Sequence, residues 1–144
     1  MAIIAVYGSL CQGFFNFNKY LRGNVSHIHP GKVKGRLYHM PLRGYPALLP
    51  GEDDVYCEIM TLRGDIERIM NALDEMENAS VPAHPDDEYH RVNMPVTDAR
   101  TGEIVSLPMY MFNMRHARAK TEPMVYIAHG NWPRYMRENQ NGLK

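Results

Sequence analysis

Glu77 is the residue of this chain whose position asks most for a chemical explanation. Residues 65–77 have the pattern of an amphipathic helix, with Ile66, Ile69, Met70 and Leu73 at i, i+3, i+4 and i+7 and Asp65 available to cap the N-terminus. With Ile66 at zero and about 100° per residue, Met70 falls near 40°, Leu73 near 340° and Glu77 near 20°, whereas Glu75 falls near 180°. Glu77 thus continues the core-facing stripe and Glu75 points away from it. A carboxylate on an apolar face is costly unless neutral or partnered, and desolvation raises its pKa. That is how a glutamate becomes a general acid and base near neutral pH. The alternative is that the helix stops short and leaves Glu77 solvated in a frayed last turn. Asn78 follows, a residue type that tolerates the left-handed conformation with which helices often end.

A second chemically suggestive feature is the turn Tyr7-Gly8-Ser9-Leu10, which follows the apolar run at residues 3–7. Gly8 permits strained dihedrals and a close approach to the backbone, and successive N–H groups in such a turn can cradle an anion. An ordinary tight turn would read the same way. Tyr45 and Tyr110 are candidates to line a cavity, with Tyr126 a weaker one; half-buried strand aromatics would look identical in sequence. Ser9 lies in no Gly-x-Ser-x-Gly elbow, which argues against a serine nucleophile. His27 and His29 are spaced for one strand face but have no third ligand nearby, so no metal site is expected.

The elements that must position these residues are mostly strands. Residues 3–7, 33–40, 54–62, 89–97 and 104–112 read as strands, the last two as a hairpin turned at residues 98–102. Residues 16–21 suggest one or two helical turns, 41–46 and 81–87 loops, 115–120 a solvated basic loop, and 132–138 a helical turn. The expectation is one α+β domain over residues 1–144, built around a curled mixed sheet.

Composition narrows the functions. At 144 residues, 44% hydrophobic and 22% charged, the chain can bury a sizeable core without staples. Sixteen basic residues balance sixteen acidic ones, so no global field favours nucleic acid. The longest apolar run, residues 1–7, is far short of a membrane span, and two cysteines make no disulfide framework. A soluble protein of a reducing cytoplasm is expected.

Several segments, taken in order, resemble the gamma-glutamylcyclotransferase-like family: Val6-Tyr7-Gly8-Ser9-Leu10, Gly35-Arg36-Leu37-Tyr38, Gly44-Tyr45-Pro46-Ala47-Leu48 and Leu73-Asp74-Glu75-Met76-Glu77. Tyr89-His90-Arg91-Val92, Met109-Tyr110-Met111-Phe112 and Ile127-Ala128-His129-Gly130-Asn131-Trp132 extend the resemblance over most of the chain. The sequence departs from the family pattern at Asn78, where glycine is usual, and at Asn131, where aspartate is usual. The resemblance implies a small mixed β-barrel with peripheral helices and a polar cavity at its end. It also implies cyclisation of a gamma-glutamyl group to 5-oxoproline with release of an amine, without metal or cofactor. The family's acid/base glutamate falls on Glu77. The turn at Tyr7, Gly8, Ser9 and Leu10, with Tyr45 and Tyr110, would bind the small-molecule substrate. The contrasting expectation is a catalytically silent scaffold of the same fold that binds a small ligand or a protein.

Overall fold

A computed structural model describes residues 2–116 and 118–142. The strands are β1 (Ile3–Val6), β2 (Val25–Met40), β3 (Tyr45–Leu62), β4 (Tyr89–Asp98), β5 (Ile104–Phe112) and β6 (Val125–Tyr126). The helices are α1 (Ile66–Met76), α2 (Arg118–Thr121) and α3 (Trp132–Gly142), with a π-helical turn at Phe17–Leu21. The class is α+β, as the strand-rich pattern predicts. The order across the sheet is β1-β3-β2-β4-β5, with β6 set beside β2.

Two expectations about the sheet need correction. Each of these pairings is antiparallel, so the sheet is not mixed. The physical reason lies in the connections: β2–β3 and β4–β5 are joined by short turns, and short turns allow only antiparallel neighbours. The strand path is also open, ending at β1 and β5 with no ladder between them among the described residues, so the closed barrel is not realised in hydrogen bonds. Moreover, β2 divides its outer edge, pairing with β4 at Gly31–Val33 and with β6 at Tyr38 and His39.

Strands β2 and β3 are much longer than the sequence pattern suggests, because glycines and prolines interrupt the alternation. A Cβ on Gly31 would lie 2.7 Å from Ile59 Cδ1, and one on Gly35 would lie 2.7 Å from Leu48 Cδ1. Glycine here lets a neighbouring strand's side chain cross the backbone. The register shifts between Gly35 and Arg36: Gly35 faces Asp53 but Arg36 faces Leu49, so residues 50–52 step out of the ladder. Such bulges bend and twist a strand pair, which curls the sheet.

Both sheet faces are buried. Along β1, Ile4 and Val6 enter a core with Leu21, Ile69 and Leu73, while Ala5 and the following Tyr7 enter a second core with Ile127 and Trp132. Trp132 is 1% exposed and donates from Nε1 to His39 Nδ1 at 3.0 Å. Asn131, in place of the usual aspartate, caps α3: its Oδ1 accepts the Arg134 N–H at 2.9 Å. Asparagine and aspartate cap comparably, so this departure leaves the helix start intact. Helix α2 replaces part of the loop expected at residues 115–120, where residue 117 and the Arg118 and Lys120 side chains lie outside the described residues. No helix among the described residues is long and apolar enough to cross a membrane.

Candidate active site

The end of α1 decides where Glu77 points. Asp65 accepts the Arg68 N–H at 3.2 Å and starts the helix. At the other end Glu77 keeps near-helical dihedrals (φ −80, ψ −3), and its N–H reaches Leu73 O at 2.9 Å. Asn78 then turns left-handed at φ 54. Its N–H bonds Glu75 O at 3.1 Å and the Ala79 N–H bonds Asp74 O at 2.9 Å. This pair of bonds is a Schellman motif, normally completed by glycine, and here asparagine takes the glycine's place. The helical bonding therefore reaches Glu77 and does not fray before it. Glu77 is partly buried, whereas Glu75 is exposed.

The turn after β1 is built differently from expectation. Gly8 does not adopt a positive φ. Its value is the close approach: a Cβ on Gly8 would lie 2.5 Å from Pro46 Cγ and 2.8 Å from Cδ. Cys11 N–H closes the turn onto Gly8 O at 2.8 Å, and Phe17 N–H bonds Ser9 O at 3.1 Å. Asn16 Nδ2 donates to Ser9 Oγ at 2.8 Å. The N–H groups of Gly8, Ser9 and Leu10 meet no acceptor among the described residues.

Turn and helix end face one cavity of about 330 Å³, at the small end of the usual range for ligand sites. The seven residues singled out from sequence, Glu77, Tyr7, Gly8, Ser9, Leu10, Tyr45 and Tyr110, all line it. Tyr126 does not; its hydroxyl donates to Asp53 Oδ2 at 2.5 Å elsewhere on the surface. Asn16, Lys19, Arg43, Glu88 and Tyr89 also line the cavity and were not anticipated. Among these, only Tyr89 lay on an element read from the sequence as part of a matching motif. Asn16 and Lys19 sit in the segment read as one or two helical turns, and Arg43 and Glu88 in a turn and a loop, where no periodicity reveals which side chains reach a cavity.

The tyrosines are tied into the protein. Tyr7 donates to Tyr110 O at 2.5 Å, Tyr45 to Glu88 Oε2 at 2.5 Å, Tyr89 to Pro46 O at 2.6 Å and Tyr110 to Asp74 Oδ1 at 2.6 Å. Asp74 also pairs through Oδ2 with Arg91 at 3.3 Å. Burial holds the Tyr7, Tyr89 and Tyr110 hydroxyls well above their ordinary pKa, so all three are neutral donors. Burial, and then the charge of Glu88, pushes the Glu77 carboxyl up to about 8. A carboxyl that exchanges its proton near neutrality, on the same cavity lining as a turn whose N–H groups are unengaged among the described residues, can shuttle a proton next to an anion bound there. Among the described residues, no group of three His, Cys, Asp or Glu side chains is disposed to hold a metal ion.

Comparison with known proteins places the chain. Residues 4–134 match the family described as gamma-glutamyl cyclotransferase, AIG2-like. The chain belongs to that family. Its fold is shared by an AIG2-like protein of Mus musculus, with 23% identity, a TM-score of 0.67, and 92% of this chain and 88% of that one covered. An uncharacterized protein of Pyrococcus horikoshii matches with 15% identity and a TM-score of 0.65, over 98% of both chains. A uropathogenic E. coli-specific protein matches with 18% identity and a TM-score of 0.64, over 94% of this chain and 95% of that one. At these identities the likeness is one of fold. No curated protein matches the sequence.

Proposed function

We propose that the protein is a gamma-glutamyl cyclotransferase that converts a gamma-glutamyl amine or amino acid to 5-oxoproline and a free amine. The observation that carries this reading is the Glu77 carboxyl, raised to about 8, facing one cavity with the turn whose Gly8, Ser9 and Leu10 N–H groups remain unengaged among the described residues. The substrate's α-nitrogen attacks its own gamma-carbonyl carbon, so nucleophile and electrophile arrive already joined. Glu77 takes a proton from the attacking nitrogen and returns it to the departing nitrogen as the C–N bond breaks. The second proton shed by the substrate ammonium passes through solvent to the released amine. A base whose pKa is raised toward that of the substrate ammonium takes its proton at less cost than an ordinary carboxylate would.

The turn's N–H groups either receive the developing oxyanion or grip the substrate carboxylate. The Tyr7 and Tyr110 rings, held by their own hydrogen bonds, wall the space in which the chain folds into a ring. Both cysteines are unpaired and buried, which suits a reducing cytoplasm. Incubating the protein with a panel of gamma-glutamyl compounds and detecting 5-oxoproline by mass spectrometry tests the reading. Formation of 5-oxoproline from at least one member is expected, and its absence from a chemically broad panel would overturn the assignment.

A further inference from the structure

The cavity has a closed end and an open one. Tyr7, Leu10, Tyr89 and Tyr110 are buried, whereas Phe15 is 61% exposed and Lys19 is exposed on the same lining. Cyclisation must fold the glutamyl chain into a five-membered ring, which suits the closed end. On the cyclotransferase reading the amine is then released by way of the exposed part of the lining, which carries Phe15 and Lys19, with Tyr20 and Met76 on the same lining.

That rim is fastened in place. Asn16 Nδ2 holds Ser9 Oγ at 2.8 Å, Phe17 N–H holds Ser9 O at 3.1 Å, and Phe17 and Leu21 are buried. The segment continues as the π-helical turn Phe17–Leu21, a local geometry that recurs at functional sites. Its chemistry is mixed. Phe15, Tyr20 and Met76 offer apolar surface. Of the two cations on the lining, Arg43 is gripped in a fork by Glu122, with Nε to Oε1 at 3.0 Å and Nη2 to Oε2 at 2.6 Å. Lys19 has no carboxylate within ion-pair distance among the described residues; its Nζ lies 5.2 Å from the Tyr20 ring centroid. The rim thus combines an apolar lip with a cation whose charge is not committed to a carboxylate among the described residues.

We propose that the rim segment bearing Phe15, Lys19 and Tyr20 selects the leaving group, favouring gamma-glutamyl α-amino acids with an apolar side chain and a free carboxylate over gamma-glutamyl amines that lack the carboxylate. This rests on the cyclotransferase reading above. The carboxylate of the departing amino acid meets Lys19, and its side chain covers Phe15 and Tyr20, removing apolar surface from water. A leaving group with a second amino group brings a like charge to Lys19 and is disfavoured.

The test compares matched pairs that differ only in the carboxylate: gamma-glutamyl-leucine with gamma-glutamyl-isoamylamine, and gamma-glutamyl-phenylalanine with gamma-glutamyl-phenethylamine. The kcat/KM for 5-oxoproline formation is the readout. The wild type is expected to favour the carboxylate member by roughly fivefold, the size of a solvent-exposed ion pair. Lys19→Met erases most of that ratio and Lys19→Glu inverts it. Phe15→Ser raises KM for both members of a pair together. A ratio near one in the wild type, or one that Lys19→Met and Lys19→Glu leave unmoved, overturns this proposal while the cyclotransferase reading stands. Absence of 5-oxoproline from all four compounds and from the broader panel overturns both.

Discussion

The Tyr110 hydroxyl donates to Asp74 Oδ1 across 2.6 Å, three residues before Glu77 at the end of the same helix. On its other side Asp74 Oδ2 meets Arg91 at 3.3 Å, so one buried carboxylate moors the last turn of α1 to β5 and β4 at once. Tyr110→Phe removes one bond and is expected to cost about 1–2 kcal/mol in urea unfolding. Asp74→Ala leaves both partners without their acceptor and should cost about 2–4 kcal/mol. Because the two substitutions remove a shared bond, the double variant should lose less than the sum. Full additivity would show that the two residues act separately.

The two glutamates near the end of α1 provide an internal control. Glu77→Gln preserves shape and removes the proton shuttle, so 5-oxoproline formation should fall by roughly 10² to 10⁴. Glu75→Gln, on the exposed face, should change the rate little. Steady-state kinetics on one good substrate decides it, and equal losses in both variants would point to folding rather than proton transfer.

The period of α1 makes the Glu77 side of the site legible in the sequence, because a helical wheel carries side-chain direction directly. Asn78 and its left-handed φ of 54 were legible for the same reason: residue type restricts backbone geometry locally. The long β2–β3 hairpin was not. Its alternation is broken by Pro30, Gly31, Gly35, Pro46 and Gly51, and the compensation, a glycine opposite Ile59 or Leu48, exists only once the strands are paired. Asn16, Lys19, Arg43 and Glu88 stayed invisible because they reach the cavity from a single short helical turn, a turn and a loop, too short to show a periodicity. Asp74 was passed over because its partners, Arg91 and Tyr110, lie 17 and 36 residues away in sequence and meet it only once the sheet is assembled.

Gly8 offers a test of the turn that does not depend on catalysis. A Cβ there would sit 2.5 Å from Pro46 Cγ, and Pro46 O is also the acceptor for the Tyr89 hydroxyl. Gly8→Ala must push Pro46 and displace that bond. The expected cost is about 1–3 kcal/mol, typical of overpacking a fitted site. Substrate KM should rise as the cavity wall shifts. Thermal melting that leaves Gly8→Ala as stable as the wild type would show that Pro46 yields freely.

The raised pKa of Glu77 has consequences for both rate and stability. Catalysis begins with the carboxylate ionised, so the acid limb of kcat/KM should have its midpoint near the folded value of about 8. For stability, the relevant window lies between the ordinary value of 4.5 and that folded value. Within it the unfolded chain has lost a proton that the folded protein still holds at Glu77. Stability from this group is therefore fully present below the unfolded pKa and declines as pH rises through the window. Above the window the decline stops, since both states are then ionised. Glu77→Gln removes the dependence, so the variant's stability relative to the wild type should rise between pH 4 and pH 8 (roughly the window's limits). Urea unfolding of both proteins across that range measures it directly. If the variant instead loses stability toward neutral pH, the ionised carboxylate is holding the fold together. Glu77 would then be an ion-pair partner of the structure, and the acid/base role would have to be given up.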